Sequence, residues 1–405
     1  MKIRSLTLFD NPGDPIREKN LSQADIFVEQ AKGLFESSSY EIQTFRFATP
    51  PFPLFLHKLK NDRVLSYAGE LERSLTSLGF DYLSLGPAIP SHPESYALIP
   101  DLIRETESTF CSGLMTDPDR VISLQSVRSC GDIIHTLAPQ KPDGFSNLFF
   151  AALGNVPPGT PFFPAAYHQG DKPIFSIAVE AADLAVESFS GASSFQEARD
   201  RLVSKIEQHG KKLKLLSQEL EESSQTLFTG IDFSLAPYPQ IELSIGTALE
   251  SLGVKPLGDH GSLAAVAFLA DTIDRADFPR TGFSGLFLPM MEDAVLAERA
   301  TEGTLGVKDL LLYSAVCGTG LDTLPLPGDI SSDQLSAILF DLAALSTRLN
   351  KPLTARLMPI PGKKAGDPTN FDFPYFANSK ILDVQSNQLT NLFSGDGYLD
   401  LNPRR

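Results

Sequence analysis

The chain has 405 residues, with 34 Lys plus Arg against 50 Asp plus Glu, which gives a formal net charge of −16 at pH 7. A surface this acidic disfavours nucleic acid and anionic membranes as partners. The cysteines Cys111, Cys130 and Cys317 include no close pair, which argues against a zinc ribbon or a disulfide framework. The longest clean apolar run, 263–270, is too short to span a membrane, and no apolar run of signal length follows the N-terminus. We therefore expect a reduced, cytoplasmic protein.

Ten short runs, nearly continuous in apolar character, predict strands that are covered on both faces, as in parallel sheets. The first five lie at 2–9, 41–48, 81–86, 109–114 and 147–153, and the second five lie at 173–180, 230–236, 283–289, 321–326 and 354–360.

Helical apolar spacing falls between most of these runs. The clearest predicted helices cover 21–35, 64–78, 194–223, 239–252 and 331–349. Ser331 and Gln334 predict a capping box at the start of the last of these helices. Alternating strands and helices favour an α/β fold with parallel strands.

The alternation breaks once. Residues 154–172 are rich in proline and glycine and show no helical pattern, although a parallel crossover usually needs a helix. We therefore predict one domain, 1–405, with a first half at about 1–153, a junction loop at 154–172, a second half at about 173–365 and a tail at 366–405.

Several segments carry a family resemblance. They are "DFSLAPYP", "GDHGSLAAVAFLADTI", "GFSGLFLPMMEDAVL", "LLLYSAVCGTGLDTLPLPGD" and "ARLMPIPGKKAGD", with "TFCSGLM", "SVRSCGDIIHTLA" and "FFAALGNVPPGTPFFPAAYH" upstream. In this order they resemble the domain-of-unknown-function family 711, also called uncharacterised protein family 0210. The segments span residues 109–367.

The resemblance implies the fold of pyruvate formate-lyase-like enzymes, a ten-stranded β/α barrel of two five-stranded parallel halves set antiparallel. Such a barrel is wider than the eight-stranded kind that side chains alone fill, so we expect loops or a ligand inside. Glycyl radical chemistry is not expected, because Gly395 and Gly397 in the tail lack the arginine that the radical loop carries.

The first candidate site lies at a predicted helix start. Asp259, His260 and Gly261 precede Ser262 and an apolar helical run. The free N–H groups there suit a phosphate or carboxylate, and His260 can transfer a proton near neutral pH. The alternative is that Ser262 caps the helix and His260 bonds to a loop.

Glu292 and Asp293 follow a predicted strand, where α/β folds place active groups. We expect one of the two to face the interior as an acid/base group. A carboxylate pair can also bind a divalent metal such as Mg²⁺, which leaves the cofactor open. The alternative is an acidic first helical turn.

Cys317 and Asp322 lie in one segment. Cys317 is a candidate nucleophile, although a small buried core residue is the more ordinary reading of a cysteine. Asp322 is the stronger candidate, because an ionisable residue within an apolar strand needs a partner or a ligand.

The remaining candidates are expected to bind substrate. His168 lies in the junction loop, Asp232 and Ser234 are polar positions on an apolar strand, and Lys363 belongs to the basic pair after "MPIPG". His57, His92, His135 and His209 are interpreted as structural.

Together these residues predict an enzyme that binds a small polar or anionic metabolite inside the barrel. His260, Glu292, Asp293 and Asp322 would supply acid/base groups. The alternative is a non-catalytic binding or assembly protein whose lumen is filled by side chains or by the junction loop. A redox-sensing Cys317 is a third hypothesis, and a homodimer is compatible with the composition.

Overall fold

The computed structural model describes residues 1–38, 40–56 and 60–404. In this part of the chain the strands are β1 (Lys2–Phe9), β2 (Phe45–Ala48), β3 (Tyr82–Ala88), β4 (Thr109–Leu114), β5 (Ile122–Ser123), β6 (Phe150–Gly154), β7 (Ile174–Glu180), β8 (Leu227–Ala236), β9 (Gly320–Pro327), β10 (Leu353–Ile360) and β11 (Tyr398–Leu399). The α-helices are α1 (Glu18–Glu36), α2 (Phe52–Phe55), α3 (Asn61–Ser77), α4 (Ile99–Glu105), α5 (Leu124–Leu137), α6 (Ala182–Phe189), α7 (Phe195–Ser224), α8 (Ile245–Ser251), α9 (Ser262–Arg275), α10 (Ala294–Glu302), α11 (Val307–Tyr313) and α12 (Ser332–Leu349).

The main sheet has nine strands in the order β8-β7-β1-β2-β3-β4-β6-β10-β9. The five strands of the first half, β1, β2, β3, β4 and β6, are parallel to one another. The second half contributes two parallel pairs, β7 with β8 and β9 with β10. Each pair joins one edge of the first half in antiparallel orientation. The predicted α/β class and the opposite direction of the two halves are confirmed.

The strand predicted at 283–289, the eighth in chain order, is wrong as a regular strand. Residues 279–290, here called the bridging segment, instead make scattered backbone hydrogen bonds to both outer strands. The N–H of Ile231 donates to Pro279 at 2.7 Å, and the N–H of Met290 donates to Asp322 at 3.0 Å. Positive φ angles at Gly282 and Ser284 interrupt the extended backbone, so a continuous ladder cannot form.

Helices cover one face of the sheet. Side chains alternate along each strand, so Leu6 and Leu8 of β1 pack with the helices in the main core. The helix starts follow the sequence. Ser194 accepts a bond from the Glu197 N–H before α7, and Ser331 with Gln334 forms the predicted capping box before α12.

The junction loop, 154–172, covers the other face of the sheet. Its residues Phe163 and Ala166 pack against Phe9, Ala48 and Phe110, which project from three parallel strands. The loop is also held by polar contacts, since the Ser84 hydroxyl donates to the Ala166 carbonyl at 2.6 Å. The loop therefore packs directly against this face of the sheet.

The tail lies close to the junction loop, because its Phe373 and Tyr375 line one cavity with Phe162 and Phe163. The N–H of Ala377 in the tail donates to the Met291 carbonyl at 2.7 Å. Further along the tail, β11 pairs with β5. Among the described residues, no helix is both long and apolar enough to cross a membrane.

Candidate functional site

A cavity of about 100 Å³ lies between the inner face of the sheet, the junction loop and the tail. Its polar lining comes from several strands and includes Arg4, Gln43, Thr44, Arg46, Tyr82, Asp232, Ser234, Glu292, Arg356 and Tyr375. Aromatic rings form much of the remaining wall, among them Phe110, Phe162, Phe163, Phe287 and Phe373. The space is large enough for several waters or a small metabolite.

Charged side chains beside this cavity form a continuous ion-pair chain, Glu180–Arg4–Glu292–Arg356–Asp322. Arg4 lies 3.7 Å from Glu180 and also donates to Glu292. Arg356 Nη2 donates to Glu292 at 2.7 Å, and its Nε and Nη2 donate to the two oxygens of Asp322 at 2.7 and 2.6 Å. Each buried charge in the chain thus has a partner, as burial requires.

Asp322 forms one end of this chain and does not line the cavity itself. It is fully buried, and burial raises the pKa of its carboxyl from 3.8 to about 6. Arg356 opposes that rise in pKa, whereas the negative charge of Glu292 adds to it. Asp322 therefore acts on the cavity through Arg356, which it orients with two hydrogen bonds.

Arg46 differs from the other two arginines of the cavity. Its Nε donates to the Thr44 hydroxyl at 2.9 Å, and within the described residues its side chain has no further hydrogen bond and no ion pair. The guanidinium lies 5.7 Å from the ring centre of Tyr82 and 5.1 Å from that of Phe163. Burial, and then the nearby positive charge of Arg4, lower the pKa of Arg46 to about 10. A bound anion would compensate this charge.

Asp232 and Ser234 line the opposite wall on β8. The carboxylate of Asp232 accepts the N–H groups of Phe283 and Ser284 at 2.9 and 3.0 Å and also the Ser234 hydroxyl. Burial raises the pKa of Asp232, and these hydrogen bonds oppose the rise. The contact needs glycine at 282, because a Cβ there would lie 2.2 Å from Asp232 Oδ2. Asp232 thus anchors the bridging segment as well as facing the cavity.

Adjacent Glu292 and Asp293 have different roles. Glu292 faces the cavity, whereas Asp293 turns away and caps α10 by accepting the Val295 and Leu296 N–H groups, each at 3.0 Å. Asp293 also accepts the Ser244 hydroxyl at 2.6 Å. Because both carboxylates are occupied by donors and point apart, they do not form the predicted metal site. Within the described residues no group of three or more His, Cys, Asp or Glu could hold a metal ion.

The predicted helix-start site does not join the cavity. Asp259, His260 and Gly261 are exposed at the start of α9, while Ser262 is buried and its hydroxyl accepts the Gly258 N–H at 2.9 Å. Since α9 belongs to the outer helical layer, its N-terminus faces solvent rather than the inner face of the sheet. The predicted interior shared by His260 and the carboxylates is therefore not observed.

The other candidates are also away from the cavity. His168 is fully buried in the junction loop, both ring nitrogens lack partners among the described residues, and burial lowers its pKa. Cys317 is buried after α11, where its carbonyl accepts a bond from Lys351. Lys363 is half-buried in the turn after β10. His57 lies outside the described residues.

Sequence reasoning missed the arginines and Glu180. Arg4, Arg46 and Arg356 each stand within an apolar strand, in "IRSLTLF", "TFRFA" and "TARLMPI". This is the same signal that singled out Asp322, because a charge in such a strand needs a partner. Applied to cations as well as to anions, that argument would have found the ion-pair chain.

Comparison with known proteins finds one family and several curated relatives. The family model described as "Uncharacterised ACR (DUF711)" matches residues 1–379, so the similarity extends well before residue 109. The UPF0210 protein of Methanocaldococcus jannaschii is 28% identical over 384 residues, 88% of this chain and 83% of that protein. The UPF0210 protein of Pyrobaculum aerophilum is 36% identical over 258 residues, 61% of this chain. The matched region spans only 56% of the Pyrobaculum protein's length.

Proposed function

Since the chain belongs to the DUF711 family, whose description states no activity, we propose a function from the cavity: an enzyme that binds a small anionic metabolite and transfers a proton with a buried carboxylate. The observation that carries this proposal is the guanidinium of Arg46. It lines the cavity with neither an ion pair nor a partner for its two terminal amino groups among the described residues. A half-buried cation without a counter-charge is costly, so its presence is best explained by a ligand.

Glu292 is the proposed acid/base group, because it is the carboxylate of the ion-pair chain that lines the cavity. Arg4 and Arg356 fix its position from two sides. A carboxylate held in this way can take up and return a proton of a ligand that Arg46 anchors. Asp322 is a positioning residue for Arg356.

We also propose that the bridging segment completes a closed, pyruvate formate-lyase-like barrel. Two observations support closure. The bridging segment bonds to both outer strands of the sheet. In addition, Arg4 of β1 and Arg356 of β10 bind the same carboxylate, although four strands separate β1 from β10 in the sheet order. A single domain, a homodimer, a cytoplasmic location and the lack of nucleic-acid or membrane partners stay predictions.

The second candidate is a non-catalytic binding protein. It is favoured by one observation, that Phe162 and Phe163 of the junction loop fill much of the interior and leave only about 100 Å³. Both candidates predict ligand binding at Arg46, and only the first predicts turnover.

Native mass spectrometry of the purified protein tests the binding that both candidates share. We expect a co-purified small anion in the wild type, lost in Arg46→Gln. It should be retained in Arg63→Gln, which changes an exposed arginine of α3. If the wild type carries no anion, and millimolar formate, acetate and phosphate leave its melting temperature unchanged, the proposed site is wrong.

A further inference from the structure

In the cavity, several arginine donors lack hydrogen-bond partners among the described residues, whereas the carboxylate acceptors have them. Among the described residues, no partner is found for the terminal amino groups of Arg46, for Nη1 of Arg356 or for Nε of Arg4. The carboxylates are in the opposite state. Both oxygens of Glu292 are bound by arginines, and those of Asp232 accept two backbone N–H groups and a hydroxyl. The cavity therefore offers donors and needs acceptors.

The charge count of the site limits the ligand further. Arg4 and Arg356 already share the ion-pair chain, so Arg46 is the one lining arginine without an ionic partner in the described part of the chain. A single negative charge would pair with it. The ion-pair chain already holds one more carboxylate than arginines, because Glu180, Glu292 and Asp322 share Arg4 and Arg356. A dianion would leave a second charge beside the rings of Phe110, Phe162 and Phe163, where an uncompensated charge is costly.

We infer that the ligand is a short monocarboxylate that carries a second oxygen, as an oxo or hydroxy group, and that amino acids are excluded. This inference rests on the proposed function. The carboxylate takes the two terminal amino groups of Arg46 in a bidentate pair. The second oxygen accepts from Nη1 of Arg356. An ammonium group is only a donor, whereas the unengaged groups that line the cavity are themselves donors.

Binding of the second oxygen to Arg356 would also favour removal of a proton from the ligand. A carbonyl oxygen bound to Arg356 makes the hydrogens on the neighbouring carbon more acidic, and Glu292 is bound to the same guanidinium. The proton would move from that carbon to the Glu292 carboxylate, and the electron pair would move to the oxygen as an enolate. Return of the proton regenerates both groups, so the step needs no further reactant.

Calorimetric titration of the wild-type protein at pH 7.5 tests the ligand class with three-carbon acids of similar size. We expect lactate and pyruvate to bind at least about tenfold more tightly than propionate, which lacks the second oxygen. Alanine and malonate should bind at least about tenfold more weakly than lactate, because one adds an ammonium and the other a second charge.

The outcomes separate this inference from the proposed function. If all five acids bind within about threefold of one another and Arg46→Gln abolishes binding, the anion site stands and the inferred ligand class is overturned. If alanine or malonate binds best, the donor and charge argument is likewise overturned. If none binds to the wild type and the co-purified anion is also absent, both proposals fail together.

Discussion

Replacing Arg46 by methionine tests whether Arg46 binds a ligand or stabilises the fold. Methionine keeps a long, flexible apolar side chain at this position but removes the positive charge. In the absence of ligand, the structure predicts that the change is nearly neutral for stability, because no buried carboxylate loses its partner. The contrasting variant is Arg356→Met, which leaves Asp322 and Glu292 without their shared guanidinium.

The expected change in the free energy of unfolding for Arg46→Met follows from the environment of Arg46. Its pKa falls from 12.5 to about 10, and at about 1.4 kcal/mol per unit the charged form is disfavoured by at most about 3.5 kcal/mol. Partial solvent exposure reduces this cost to about 1–2 kcal/mol. Methionine removes that cost but loses contacts with two rings, each worth about 0.5–1 kcal/mol. The net change is therefore within about 1 kcal/mol, whereas Arg356→Met should cost about 3–5 kcal/mol.

Urea unfolding at pH 7.5, followed by far-ultraviolet circular dichroism, measures both variants. Adding a binding carboxylate at a hundred times its Kd should stabilise the wild type by about 2.7 kcal/mol and should leave Arg46→Met unchanged. A loss of 3 kcal/mol or more in ligand-free Arg46→Met would show that the guanidinium holds the fold together. The ligand argument would then be refuted.

Four further outcomes follow from the site. Glu292→Gln should retain anion binding but slow deuterium exchange into a bound oxo acid, followed by NMR, by at least about a hundredfold. Asp293→Ala should cost about 2 kcal/mol in urea unfolding, through loss of the α10 cap, without changing anion affinity by calorimetry. Because burial raises the pKa of Asp322 to about 6, its protonated form stabilises the fold at low pH. This contribution is lost as the pH rises from about 4 to about 6, and Asp322→Asn should remove that slope in pH-dependent unfolding while exposed Asp329→Asn should not. Buried Cys317 should react with iodoacetamide at least about tenfold more slowly than free cysteine, and an equal rate would revive the redox hypothesis.

The strands of the first half were predictable because each is a short apolar run with clear ends. The predicted 2–9 and 109–114 coincide with β1 and β4, and the helix predicted at 194–223 differs from α7 by one residue at each end. The run at 283–289 is equally apolar, yet Gly282, with a φ of +64°, lies just before it and turns the backbone toward Asp232. An apolar run indicates that a segment is buried, but it does not indicate whether its backbone pairs with another strand.

The candidate site was predictable only in part, because sequence position does not say which face of the sheet a residue occupies. Glu292, Asp232 and Ser234 were found at strand ends or within strands, where a polar residue is conspicuous. His260 looked equally suitable in the sequence. It lies at the start of an outer helix, however, and is exposed to solvent rather than to the cavity.

The ion-pair chain links the fold to its chemistry. Glu292 joins Arg4 of β1 to Arg356 of β10, and these strands belong to different halves of the chain. The carboxylate thus binds arginines from two strands that are not neighbours in the sheet. Among the described residues the guanidinium of Arg46 has no ionic partner, so it is available to a ligand. A ligand bound to Arg46 would therefore share the cavity with a carboxylate that arginines from both halves of the chain hold in place.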